Sequence, residues 1–196
     1  MHLRRTLSAS AATAALLPLT LAAAPASQAA PAGKLPSCSD VGKPHEELFV
    51  TRTFGVPHTV APGGPWATYT ATITNVSTKE LKPFQLTGSV GSYVYNEGER
   101  DLSPYADLQY RDTAQSAWKT LRNADGDAVG AVPGPKTLKP RESVHVQLRF
   151  RLHKDLPLDQ TYDAHTGLTG TFVDHYNDTD CAETGDAFGS FSPTEG

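Results

Sequence analysis

Five carboxylates fall within thirteen residues in "DHYNDTDCAETGD" (174–186), around one of the chain's two cysteines. Carboxylate oxygens are hard ligands suited to calcium. Asp174, Asp178 and Asp180 are therefore the candidate metal ligands. The helical calcium loop needs D-x-[DN]-x-[DN]-G with a glutamate at its twelfth position. "DTDCAE" supplies D-x-D and then departs. The competing reading is a hairpin tip, because Asn and Asp bond their own backbone and tolerate positive φ. On that reading "NDTD" is a turn between two strands. Calcium is the one cofactor the sequence brings into question, and the leading expectation is a chain with none.

Aromatic residues carry the other candidate chemistry. In "FQLTGSVGSYVY", Phe84, Leu86, Val90 and Val94 share one parity, and Tyr93 and Tyr95 take the other. Outward rings on a strand can stack on sugars or on a protein partner. Tyr93 and Tyr95, with Trp66 at the head of another strand, are the candidate ligand-binding residues. The leading expectation is nonetheless ordinary packing of Tyr93, Tyr95 and Trp66, with a bulge at Gly88 or Gly91 turning the tyrosines inward.

Other patterns fail on spacing. His145 and His153 share parity on one strand but stand roughly 26 Å apart at about 3.3 Å per residue, too far to share a metal. Asp163 with His165, and Asp174 with His175, supply pairs without a third ligand at zinc spacing. "GAVPGPKT" misses the phosphate-loop pattern, and its prolines remove the amides that would cradle phosphate. "GSVGS" has the wrong spacing for a nucleophile elbow. "CAETG" resembles a wall-sorting pentapeptide, but only "DAFGSFSPTEG" follows, without an apolar tail or basic residues. The chain is expected not to be an enzyme, with a metal-dependent hydrolase as the remote alternative. The sequons at Asn75 and Asn177 read as coincidental.

These residues need a scaffold and a compartment. "MHLRR", an uncharged apolar run over 11–24, and "SQA" before Ala30 form a secretory signal peptide over 1–29. Arg4-Arg5 keeps twin-arginine export open, though Leu3 favours ordinary secretion. Residues 30–196 carry 15 basic residues (17 less Arg4 and Arg5) against 21 acidic ones. That balance argues against nucleic acid, which asks for a basic footprint. No second apolar segment offers membrane insertion. Cys38 and Cys181 would pair in an oxidising compartment and close a loop of about 140 residues, the alternative being two free thiols.

Residues 30–45 read as a Pro/Gly/Ser-rich leader, 46–191 as one domain and 192–196 as a flexible tail. "SVHVQLRFRL" points Val144, Val146, Leu148, Phe150 and Leu152 one way and His145, Gln147, Arg149 and Arg151 the other. Strict alternation of this kind is a half-buried strand. "WATYTATITNV" and "YADLQYR" alternate likewise, and "ELFVTRTF", "SAWKTL", "GLTGTFVDHY" and "DAFGSF" add strands between Pro/Gly/Asn/Asp turns. Beyond 1–29 no sustained 3.6-residue period appears. The expectation is an all-β, immunoglobulin-like antiparallel β-sandwich of about seven to nine strands with almost no helix.

"VAPGGPWATYTATITNVSTKELKPF", "YADLQYRDTAQSAWKTL" and "LKPRESVHVQLRFRLHKDLP" resemble, in that order, segments of secreted actinomycete immunoglobulin-like β-sandwich proteins of uncharacterised function. The similarity runs from about Glu47 to Phe191. It implies an extracellular β-sandwich and carries over no catalytic residue. The expected function is a secreted, non-catalytic module for protein binding or a structural role at the cell surface. A carbohydrate-binding module is the alternative. The expected partner is an extracellular protein or a cell-wall glycan, and the expected location is extracellular, with cell-wall association open.

Overall fold

The computed structural model describes residues 35–96 and 99–194. The signal peptide assigned to 1–29 lies outside the described residues. Ten strands form two five-stranded sheets. The first sheet runs in the order β1 (Phe49–Phe54), β3 (Ala67–Asn75), β8 (Ser143–Leu152), β5 (Ala106–Arg111), β6 (Lys119–Leu121). The second runs β2 (Thr59–Val60), β10 (Thr179–Pro193), β9 (Asp163–Tyr176), β4 (Phe84–Tyr93), β7 (Val129–Val132). All pairings are antiparallel except β2 with β10. One 3-10 turn, Ser103–Tyr105, is the only helical element among the described residues. The molecule is an immunoglobulin-like β-sandwich, with one strand more than the upper end of the expected range. The two-residue β2 and the Gly-containing β7 carry too little alternation to be read from sequence.

The period-2 pattern decides which side chains enter the core. Tyr69, Ala71 and Ile73 of β3 face inward beside Val146, Leu148, Phe150 and Leu152 of β8 and Ala106, Leu108 and Tyr110 of β5. Phe84, Leu86 and Val90 of β4, Leu168 and Phe172 of β9, and Ala187 and Phe191 of β10 meet them from the second sheet. Phe150 bridges the layers, edge-on to Tyr69 and 4.7 Å, centroid to centroid, from Phe191. Thr166 donates to the Ser89 carbonyl, so the Tyr69 hydroxyl donates to Thr166 Oγ1, 2.7 Å away. This bond crosses the core, and burial pushes the Tyr69 phenol far above its ordinary pKa.

Both outer faces meet solvent, which explains how a chain only 38% hydrophobic builds a double sheet. Val94 is a correction. Its parity predicts burial, but β4 ends at Tyr93 and Val94 is 50% exposed beyond it. The last strand also runs to Pro193, held where Ser192 and Pro193 pair with Thr59 and Val60.

Candidate functional site

Tyr93 and Tyr95 lie where β4 leaves the second sheet. The register of β4 on β9 is unbroken from Phe84 opposite Phe172 to Tyr93 opposite Asp163, so no bulge turns the tyrosines inward. Tyr93 is 49% exposed and Tyr95 is 70% exposed. Their ring centroids are 6.0 Å apart with planes inclined at 34°. The Tyr95 hydroxyl donates to Asp163 Oδ2 at 3.0 Å, and its backbone N–H donates to Glu99 at 2.7 Å. The hydrogen bond to Asp163 holds the Tyr95 phenol above its ordinary pKa, so the ring edge stays a donor near neutral pH.

The row of rings continues inward across the sheet. Tyr93 stacks on His165 of β9 at 4.4 Å, and His165 stacks on Phe188 of β10 at 5.0 Å. Tyr95, just beyond β4, is thus followed by Tyr93, His165 and Phe188 from the three neighbouring strands β4, β9 and β10. Gly167 makes room for the inner end, since a Cβ there would overlap the Phe188 ring. His165 Nδ1 is buried without a hydrogen-bond partner. Burial lowers the His165 pKa, and a hydrogen bond to the Asp163 backbone together with the charges of Asp101, Asp163 and Asp186 opposes that only in part. Phe188 and His165 were not singled out from sequence as binding residues. Their outward parity in "DAFGSF" and "DAHTG" was the available signal, but it does not reveal which strands become neighbours.

Trp66 does not join the tyrosines. It heads β3 on the outer face of the first sheet, half-buried among arginines. The Arg149 guanidinium lies 4.4 Å from its ring and that of Arg151 4.7 Å. Arg149 also lies 4.4 Å from Trp118, and Arg111 covers Trp118 at 4.6 Å. The three aromatics nominated together from sequence therefore occupy different faces. Trp118, just ahead of β6, takes part in this second cluster.

The acidic stretch resolves into a hairpin. Asn177 (φ 49°) and Asp178 (φ 60°) form the two-residue connection between β9 and β10, both in the left-handed region that two-residue hairpin turns require. Asp174 accepts from Lys43 at 2.8 Å and lies 3.5 Å from Lys79, while Lys43 also reaches Glu183 at 2.7 Å. Burial opposes ionisation of Asp174, but hydrogen bonds from Lys43 and the His175 N–H outweigh it and lower its pKa. Asp180 Oδ1 is 2.9 Å from His175 Nδ1. Asp178 occupies the tip. Among the described residues no three His, Cys, Asp or Glu side chains converge in a way that could hold a metal ion.

Cys181 bonds Cys38 across a sequence separation of 143, with both residues fully buried. The bridge docks the leader against β10. Cys38 N–H donates to the Ala182 carbonyl and Ala182 N–H to that of Pro36, at 3.1 and 2.9 Å.

No family model and no curated protein matches the chain. Its similarity is to solved structures. AvmM, which catalyzes macrocyclization in alchivemycin A biosynthesis, matches with a TM-score of 0.50 and 17% identity over 77% of this chain and 91% of that one. Spo0M, a sporulation control protein from Bacillus subtilis, gives a TM-score of 0.33 and 14% identity over 73% and 49%. A PapD-like domain of human CEP192 gives 0.29 and 11% over 79% and 93%. At such identities the likeness to AvmM is one of fold alone.

Proposed function

We propose that this chain is a secreted extracellular module that recognises a partner through the Tyr93–Tyr95 end of its second sheet and does no chemistry of its own. The observation that carries this reading is the exposure of two adjacent tyrosines, backed by His165 and Phe188, on a sandwich closed by a disulfide. Tyrosine supplies large contact area at low conformational cost and keeps a polar handle for orientation. The rings stand on a strand end anchored by Asp163 and Glu99, so little order has to be gained on binding. The partner is an extracellular protein. A cell-wall glycan is the second reading, favoured by the exposure of both rings side by side, 6.0 Å apart, although their 34° inclination departs from a coplanar platform.

A binding screen of the purified chain against secreted proteins and cell-wall glycans from its own source tests this. Tyr95→Ala and Tyr93→Ala should each weaken the bound partner about tenfold, the range in which truncating an interface aromatic commonly falls. A partner that binds both variants as tightly as the parent would refute the assignment of the face. Turnover of a glycan or peptide during the screen would refute the non-catalytic reading.

A further inference from the structure

The outer face of the first sheet is a separate feature, independent of the tyrosine reading. Along it, Arg151, Trp66, Arg149, Trp118 and Arg111 alternate in one continuous stack, each guanidinium 4.4–4.7 Å from the next ring centroid. The sheet sets this order. Arg149 and Arg151 share the outward parity of β8, Arg111 ends β5, and the two tryptophans come in from the segments before β3 and β6. Each indole already contacts two arginines, which compete for its faces with any base or sugar.

The guanidinium groups of the ladder are hydrogen-bonded along the sheet, and most of their acceptors are neutral. Arg149 donates through Nε and Nη2 to Gln109 Oε1 at 2.9 and 2.6 Å. Arg111 donates to Gln147 Oε1 at 2.5 Å and to the Ala114 carbonyl at 2.8 Å. Only at the Arg151 end does a carboxylate enter, and Asp107 there is shared by Arg151, Arg122 and His153 at 2.9, 2.8 and 3.2 Å. Four arginines thus face one carboxylate. Burial and the charges of Arg111 and Arg151 both lower the Arg149 pKa, as expected of a cation crowded by cations. The chain as a whole is acidic, with 21 acidic residues against 17 basic. A polyanion is repelled by most of this surface and attracted to this face.

We infer that the Arg111–Trp118–Arg149–Trp66–Arg151 ladder is a docking surface for a linear phosphodiester polymer without aromatic bases. Phosphate oxygens would replace neutral acceptors such as Gln109 Oε1 and Gln147 Oε1 with charge-assisted ones, and stacking on the indoles restricts the guanidinium orientations. Arg149 and Arg151 leave β8 two residues apart, about 6.6 Å along it, so a polymer with closely repeated phosphates can meet both.

The chain's two tryptophans both sit in the ladder, so intrinsic fluorescence reads the site directly. The probe is a glycerol phosphate oligomer of about ten repeats, titrated into the purified chain. Saturable change in tryptophan emission is expected, with affinity falling as salt rises at a log–log slope of about −2, roughly 0.7 for each of three arginine contacts. Arg149→Gln should weaken binding about tenfold, the scale of one lost charge-assisted contact. Arg111→Gln is the second variant should Arg149→Gln disturb the thermal transition. Arg52→Gln, exposed on the same face at edge strand β1, should change affinity less than twofold. Absence of saturable binding at low salt overturns the inference. So does equal weakening by Arg52→Gln, which would mean diffuse charge attraction. Equal or tighter binding of a single-stranded oligonucleotide of the same charge would reassign the face to nucleic acid and overturn it too.

Discussion

Asn75 closes β3 and organises the turn after it. Its side chain is fully buried and makes four hydrogen bonds, donating to the Lys79 and Leu138 carbonyls and accepting from the Ser77 N–H and hydroxyl. Asn75→Ala would strand these groups in the interior, and a loss of about 3 kcal/mol of stability is expected in urea unfolding. The same burial means that the sequon at Asn75 presents no free amide in the folded chain. His165 gives the second expectation at this scale. Its pKa is lowered on folding, so the unfolded chain binds more protons below the ordinary histidine value and stability rises with pH there. Its contribution is complete above about pH 6.5 and is lost as pH falls through that value toward the lowered folded pKa. His165→Phe should flatten the pH dependence of the melting temperature below about pH 6.5, and an unchanged pH profile would remove His165 as the cause. Asp174, whose pKa is lowered from a carboxylate value, acts only below about pH 4. Among single residues, the parity of Tyr93 and Tyr95 was legible, but their exposure was not, because it depends on β4 keeping its register without a bulge past Gly88 and Gly91. The His165–Phe188 continuation was not legible, because it needs the β4–β9–β10 neighbourhood, which local sequence does not encode.

Elements with strict alternation could be read almost residue by residue. The inward sets of β3, β5 and β8 are Tyr69–Ala71–Ile73, Ala106–Leu108–Tyr110 and Val146–Leu148–Phe150–Leu152, each half of a polar-apolar pattern. The "ND" hairpin turn was equally legible, since both residues tolerate positive φ. The partners of Trp66 were not, because Arg149, Arg151 and Trp118 arrive from strands 50 or more positions away. The leader shows how one covalent link organises an otherwise irregular segment. Cys38, the Pro36–Ala182 and Cys38–Ala182 hydrogen bonds and the Lys43–Asp174–Glu183 cluster fasten it to the β9–β10 hairpin. Replacing both cysteines by serine should lower the unfolding free energy by up to roughly 4–5 kcal/mol, the chain-entropy value for a loop of this length. A loss below about 1 kcal/mol would mean that the loop is already restrained in the unfolded chain.

At the scale of the whole molecule, two faces of one sandwich carry different chemistry. The second sheet offers phenol rings with hydrogen-bonding edges at a strand end. The first offers a row of guanidinium groups held apart by indoles. The two proposed binding faces share one scaffold. The two activities should separate. High salt should release a polyanion from the arginine face while leaving a partner on the tyrosine face bound, because screening acts on the first kind of contact far more than on the second. The most direct measurement is the equilibrium affinity of the tightest protein or glycan partner from the binding screen for the parent chain and for the Tyr93→Ala/Tyr95→Ala double variant. The two melting temperatures are to be recorded alongside. The expected result is a loss of affinity of tenfold or more with the thermal transition within about 3 °C of the parent, since exposed side chains contribute little to stability. Undiminished affinity in the double variant, with the fold intact, would contradict the account.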